Sequence, residues 1–277
     1  MIQLKRLLGK IDEQKKVYRI LLNRSRFRKD LEDRIWTTAA DLTSRFDVEN
    51  PVASQQILKE NKEGLLLAFN AVRRAPKKTL SIPFMVATHA QALEFANPNV
   101  IGHLRNMHAR WLNSTMVLAN PAKVPYLLDQ LVDGINMKKV PAFYWDELPD
   151  RQFQMQAQHP IMQAIETNYN IVAIHPFSDG NKRAARLISA WVLDKYGHIP
   201  LSIYDRNNYI SSIEDYFNTR RPHMFYQIML DQMRQSYDHA ICEARSLDGI
   251  QTYPPVYPPI RKKMINAKRS LPQQDRK

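Results

Sequence analysis

Seven glycines in 277 residues leave this chain few places where the backbone can turn through left-handed conformations, which a glycine-rich β or loop architecture needs in number. Helices joined by short connections are the expectation instead. Proline-bearing breakers mark the ends of several apolar-periodic stretches. Leu65, Ala68, Phe69 and Val72 fall on one helical face and run into the breaker Arg74-Ala75-Pro76. Asn120-Pro121 and Val124-Pro125 precede the stripe Leu127, Leu128, Leu131 and Ile135, with Pro125 expected at the first helical position. His159-Pro160 opens a further helix. Ala184, Leu187, Ile188 and Trp191 share a face on another, which Gly197 can terminate.

Two stretches depart from this pattern. Residues 105–118 lack helical periodicity and place the turn signal Asn113-Ser114 between Trp111-Leu112 and Met116-Val117-Leu118, which predicts a small β-hairpin. From residue 251 the chain repeats Tyr-Pro-Pro twice and then turns basic, a composition that excludes helix and central strand and fits polyproline II or an unstructured tail. The expected organisation is a helical region over 1–78, a core domain over 79–240 and a proline-rich basic tail over 241–277.

At 44% hydrophobic and 24% charged, a chain of this length sustains a core without covalent staples. Cys242 is the single cysteine, so neither an internal disulfide nor a cysteine-based zinc site can form, and a reducing compartment fits. No apolar run reaches the length of a secretory or membrane-spanning segment, so the expectation is a soluble, cytoplasmic protein. The net charge of +13 is concentrated at the ends: residues 1–35 and 261–277 each carry +6, leaving +1 for everything between. Such ends are either a solvated surface or arms that meet nucleic acid, an anionic membrane or an acidic protein. No groove-reading motif accompanies them.

The chemistry concentrates in the segment from His175 to Arg186, HPFSDGNKRAAR, which lies between two helical patterns and runs into a helix N-terminus. Backbone N–H groups and the positive end of the helix dipole together bind anions there. Gly180 lets the backbone approach a ligand closely, and Lys182, Arg183 and Arg186 add three cations within about a turn. Asp179 is the one acid, a hard oxygen ligand suited to Mg²⁺ held partly by phosphates. His175, with an ordinary pKa near neutral, can take a proton from a hydroxyl. Singly, Asp179 reads as a helix cap, His175 as a structural histidine and the arginines as a solvated face. Jointly they read as group transfer from a nucleotide to an alcohol.

This segment resembles the Fic-domain signature H-x-F-x-[D/E]-G-N-x-R-x-x-R at all seven specified positions. Gly102-His103-Leu104-Arg105 resembles the family's G-x-x-R before a target-docking hairpin, the flap. Residues 120–131 resemble the helix after it, and Ile199-Pro200-Leu201 with Tyr209 and Tyr216 resemble the segment after the motif helix. The resemblance implies an all-α fold, a Fic-type helical core carrying a small β-hairpin flap. It also implies transfer of AMP from ATP to a Ser, Thr or Tyr hydroxyl of a target protein, with pyrophosphate released and Mg²⁺ as cofactor. By position, His175 is then the general base and Asp179 the Mg²⁺ ligand. Gly180, Asn181 and Lys182 form the anion-binding backbone, with Arg183 on the β-phosphate and Arg186 on the γ-phosphate. The flap, about His108 to Met116 and including Arg110, pins the target by β-augmentation.

Lys182 departs from the glycine that most AMP-transferring members carry and matches the lysine of the related toxins that phosphorylate their target. A toxin-type protein kinase is therefore the second reading, and a basic-tailed nucleic-acid or membrane-binding protein the third. Gly180 and Arg186 favour AMP transfer over the kinase. Fic proteins are also silenced by a Ser/Thr-x-x-x-Glu-Gly/Asn motif, of which the nearest string here is Arg45 to Asn50, with Glu49 as the candidate inhibitory residue.

Overall fold

The computed structural model describes residues 2–46, 55–93, 101–111, 116, 118–138 and 159–249. Their helices are α1 (Ile2–Arg24), α2 (Arg28–Phe46), α3 (Gln55–Arg74), α4 (Ile82–Ala92), α5 (Val124–Asn136), α6 (Pro160–Ile174), α7 (Asn181–Lys195), α8 (Arg206–Thr219) and α9 (His223–Leu247). The fold is all-α.

The punctuation does what the sequence predicts. His159 caps α6, its Nδ1 accepting from the Ile161 amide at 3.3 Å, and Pro160 follows at the first helical position. Ser81 caps α4 through the Phe84 amide. Asn120 caps a separate 3-10 turn, Pro121–Lys123, so α5 begins at Val124 and Pro125 falls one position later than expected. Gly197, at φ +66°, stops the chain just beyond α7.

The centre of the molecule is α6, buried along its length from Ile161 to Ile174. It packs most extensively against α7 and also meets α5 and α9. A helix buried all round is normally apolar, yet this one carries polar residues that α8 helps satisfy. The Tyr209 hydroxyl donates to Asn168 Oδ1 at 2.7 Å, and the Tyr216 hydroxyl reaches Glu166 Oε1 at 3.5 Å. Burial pushes the Glu166 carboxyl up to about 8, with the Tyr216 hydroxyl opposing it.

Around this pair, α3 covers α4 and α7, α2 lies on α3, and α1 lies along α9. Trp36 of α2 meets Phe69 of α3 edge-on at 6.0 Å, and Tyr18 of α1 meets Tyr237 of α9 at 6.2 Å. The basic N-terminus is thus a packed helix. Lys15 donates to the Tyr196 carbonyl at 2.8 Å, where α7 ends, so one of its cations serves as a C-terminal cap. Among the described residues no helix is long and apolar enough to cross a membrane. The basic tail over 251–277 lies outside the described residues.

The predicted hairpin is not seen. Residues 105–111, 116 and 118 form no strand, residues 112–115 and 117 lie outside the described residues, and the β feature nearby is a single antiparallel bridge between Leu104 and Phe177. The segment is held at its base by side-chain bonds from Arg105 instead, and an isolated two-stranded hairpin is marginal by itself.

Candidate active site

The site is built where α6 stops and α7 starts. His175 closes α6 in the left-handed region, φ 53° and ψ 60°, its amide still donating to the Ile171 carbonyl at 2.9 Å. A non-glycine residue there is strained, and the strain persists because the loop around it is fixed from several directions. Asn181, first residue of α7, accepts from the Phe177 amide with Oδ1 and donates to the Phe177 carbonyl with Nδ2, both at 2.8 Å. Phe177 is fully buried, which anchors the loop to the core. Gly180 precedes the helix at φ +72°, where a side chain is strained and its Cβ would lie 2.7 Å from Leu93 Cδ1.

Arg105 fixes the same loop from the flap side. Its side chain is buried and donates to the carbonyls of Ile174 (3.2 Å), His175, Met107 (2.9 Å) and Ala119, while its amide donates to the Pro176 carbonyl at 2.9 Å. One guanidinium therefore caps the C-terminus of α6 and joins it to both ends of the flap segment. His89 of α4 completes the frame. It is fully buried, stacks on Phe177 with ring centroids 3.7 Å apart and planes at 6°, and its Nε2 lies 2.9 Å from the Asp179 carbonyl.

These supports surround a cavity of about 340 Å³ lined by His175, Asp179, Gly180, Asn181, Lys182 and Arg183, with Arg110 and Trp111 on the flap side. Burial is the main reason the His175 imidazole is pushed down to about 4. The Val172 carbonyl and Asp179 oppose the shift, and Arg105 and Lys182 assist it. The ring is neutral at pH 7 and ready to accept a proton. Lys182 places its ammonium 6.0 Å from the centroid of the Trp111 ring, at the flap side of the cavity. Asp179 Oδ1 accepts from the Gly180 amide at 2.6 Å, so that N–H, expected in the anion cradle, is engaged with the carboxylate.

Arg186 is buried and is not among the cavity-lining residues, being one turn deeper along α7. His108 is exposed away from the cavity lining, whereas Met116, read as part of the docking edge, is buried in the apolar core and packs rather than presents itself. Glu49 lies outside the described residues. Sequence reasoning missed His89, took Trp111 only as part of the expected hairpin and took Arg105 only as part of a family string. A lone histidine in an apolar helix carries no local signal of a partner 90 residues away.

The donor set fits Mg²⁺ with a polyphosphate. Among the described residues no group of three or more His, Cys, Asp or Glu side chains converges as an all-protein metal site requires, while one carboxylate beside a helix N-terminus suits an ion held largely by phosphates.

The family model described as Fic/DOC family matches residues 79–193. Protein adenylyltransferase fic-1 of Caenorhabditis briggsae is 29% identical over 136 residues, which is 48% of this chain and 24% of that protein's length. The chain thus spans about a quarter of this relative. The solved structure of Fic-1 from C. elegans, residues 134–508, superposes with a TM-score of 0.64 at 19% identity, covering 88% of this chain and 74% of the other. IbpAFic2 covalently tethered to Cdc42 superposes with a TM-score of 0.53 at 15% identity over 83% and 70% of the two chains. The cavity-lining part of the signature thus sits on a helical fold shared with these structures, within residues 79–193, the part of the chain that matches the Fic/DOC family.

Proposed function

We propose that the chain transfers AMP from ATP to a hydroxyl side chain of a target protein. The observation that carries this reading is the convergence of His175, Asp179 and Arg183 with the start of α7 on one cavity. His175, neutral through burial, takes the hydroxyl proton as the oxygen attacks the α-phosphorus; the bond from that phosphorus to the β-phosphate oxygen breaks and pyrophosphate leaves. The amides at the start of α7 and Arg183 hold the departing phosphates, and Asp179 would hold Mg²⁺, which neutralises phosphate charge when bound. Arg186 supplies a buried positive charge one turn below.

A protein substrate agrees with the relative named as a protein adenylyltransferase and with the neighbour tethered to Cdc42. The position of Lys182 favours AMP over phosphate transfer. Its ammonium lies against Trp111 at the flap side, leaving the start of α7 to the phosphates. Mass spectrometry of the self-modified chain or a modified target tests the reading: the expected increment is one adenylyl group. A phosphoryl increment contradicts it.

A further inference from the structure

The frame of the cavity contains a buried histidine for which the proposed reaction has no use. His89 sits in the last turn of α4, fully buried, with its ring parallel to Phe177 at 3.7 Å. Its Nε2 lies 2.9 Å from the Asp179 carbonyl, an acceptor only, so this nitrogen carries the hydrogen and donates. The same nitrogen lies 3.1 Å from where a Cβ on Gly180 would stand, so the ring fills the space that a side chain at this left-handed turn would need. Two constraints therefore meet in one side chain. The stack sets where Phe177 lies, and the hydrogen bond sets how the Asp179 peptide is rotated.

We propose that His89 is a positioning residue for the nucleotide and metal end of the site. Rotating the Asp179 peptide moves the two things attached to it, the Asp179 carboxylate on one side and the Gly180 amide with the start of α7 on the other. A bond from the rigid core to that carbonyl holds carboxylate and amides facing the cavity together. The inference rests on the AMP-transfer reading only for what is bound there; the ordering of the turn is a property of the chain alone.

The experiment uses the full chain and two variants. His89→Phe keeps an aromatic ring against Phe177 and removes the donor, while His89→Gln restores an amide N–H near the place of Nε2. Hydrogen exchange of the backbone over residues 178–183 is followed without nucleotide, and binding of a non-hydrolysable ATP analogue is titrated against Mg²⁺. In His89→Phe, exchange over 178–183 should quicken while α9 keeps its protection. Mg²⁺-dependent affinity should fall about 10- to 100-fold, the usual cost of losing an outer-shell orienting contact, and His89→Gln should recover most of it. Wild-type exchange and affinity in His89→Phe would overturn the proposal. So would equal losses in both variants with protection lost throughout α9, since His89 would then be core packing alone. Should His89→Phe fail to fold, His89→Leu, which also lacks the donor, takes its place: exchange quickened over 178–183 with α9 still protected supports the bond, and wild-type exchange over that segment overturns it. A wild-type chain that binds no ATP analogue would sink the functional reading, and the exchange comparison would still judge His89.

Discussion

At the scale of single residues, two buried ionisable groups have opposite consequences. His175 must be unprotonated to accept a proton, and its pKa is pushed down to about 4, so the active form is present above that value and lost below it. The acid limb of kcat/KM is therefore expected below the ordinary histidine range, with a flat profile from pH 6 to 8. A limb centred near 7 would contradict the buried setting. His175→Ala should lower transfer by ~10²-fold or more while leaving nucleotide affinity near wild type, because only the chemical step uses the imidazole. Glu166 has a folded pKa raised from the ordinary 4.5 to about 8. Below 4.5 it is protonated in folded and unfolded chains alike. Between the two values only the unfolded chain ionises, so the stability present in acid is lost as pH rises towards 8. Glu166→Gln should flatten that decline, measured as melting temperature against pH, and an unchanged pH dependence would show that Glu166 is ionised in the folded chain.

At the scale of elements, the site depends on holding the end of α6, the start of α7 and the flap segment in one register. Arg105 does much of this with a single side chain. Arg105→Met keeps an apolar stem but removes the donors for four carbonyls, with an expected cost of about 2–3 kcal/mol in urea denaturation and a fall in kcat as His175 loses its support. Unchanged stability and kcat would reduce Arg105 to a passive filler.

The same elements show what the sequence made legible. Proline and capping residues marked the starts of α5 and α6 because their effect is local. The polar residues of α6 were not legible as core, since their burial depends on tyrosines delivered by α8 from 41 and 50 residues away. The hairpin expectation rested on a turn pair between two short apolar runs, whereas the bonds that fix that segment's base come from a guanidinium that periodicity does not register. His89 was invisible for a related reason: its partner is a backbone carbonyl, which no residue type advertises.

At the scale of the molecule, the helices before residue 79 are structural neighbours of the site. α3 packs its buried apolar residues against α4 and α7, the helices that carry His89 and the motif arginines, α1 lies along α9, and Lys77 pairs with Asp194 of α7 at 3.0 Å. A fragment beginning at residue 79 would expose those apolar faces and should fail to fold cooperatively. A sharp thermal transition in that fragment would contradict the packing described.

The measurement that tests the central claim most directly is label transfer from ATP carrying its label either on the α- or on the γ-phosphate. An attacking hydroxyl takes whichever phosphorus lies in line beside His175, so the position of the label on protein reports the orientation of the triphosphate. The account predicts protein label from α-labelled ATP, none from γ-labelled ATP, loss of label in His175→Ala, and the same product at an altered rate in Lys182→Gly. Protein labelled only from γ-labelled ATP would contradict it.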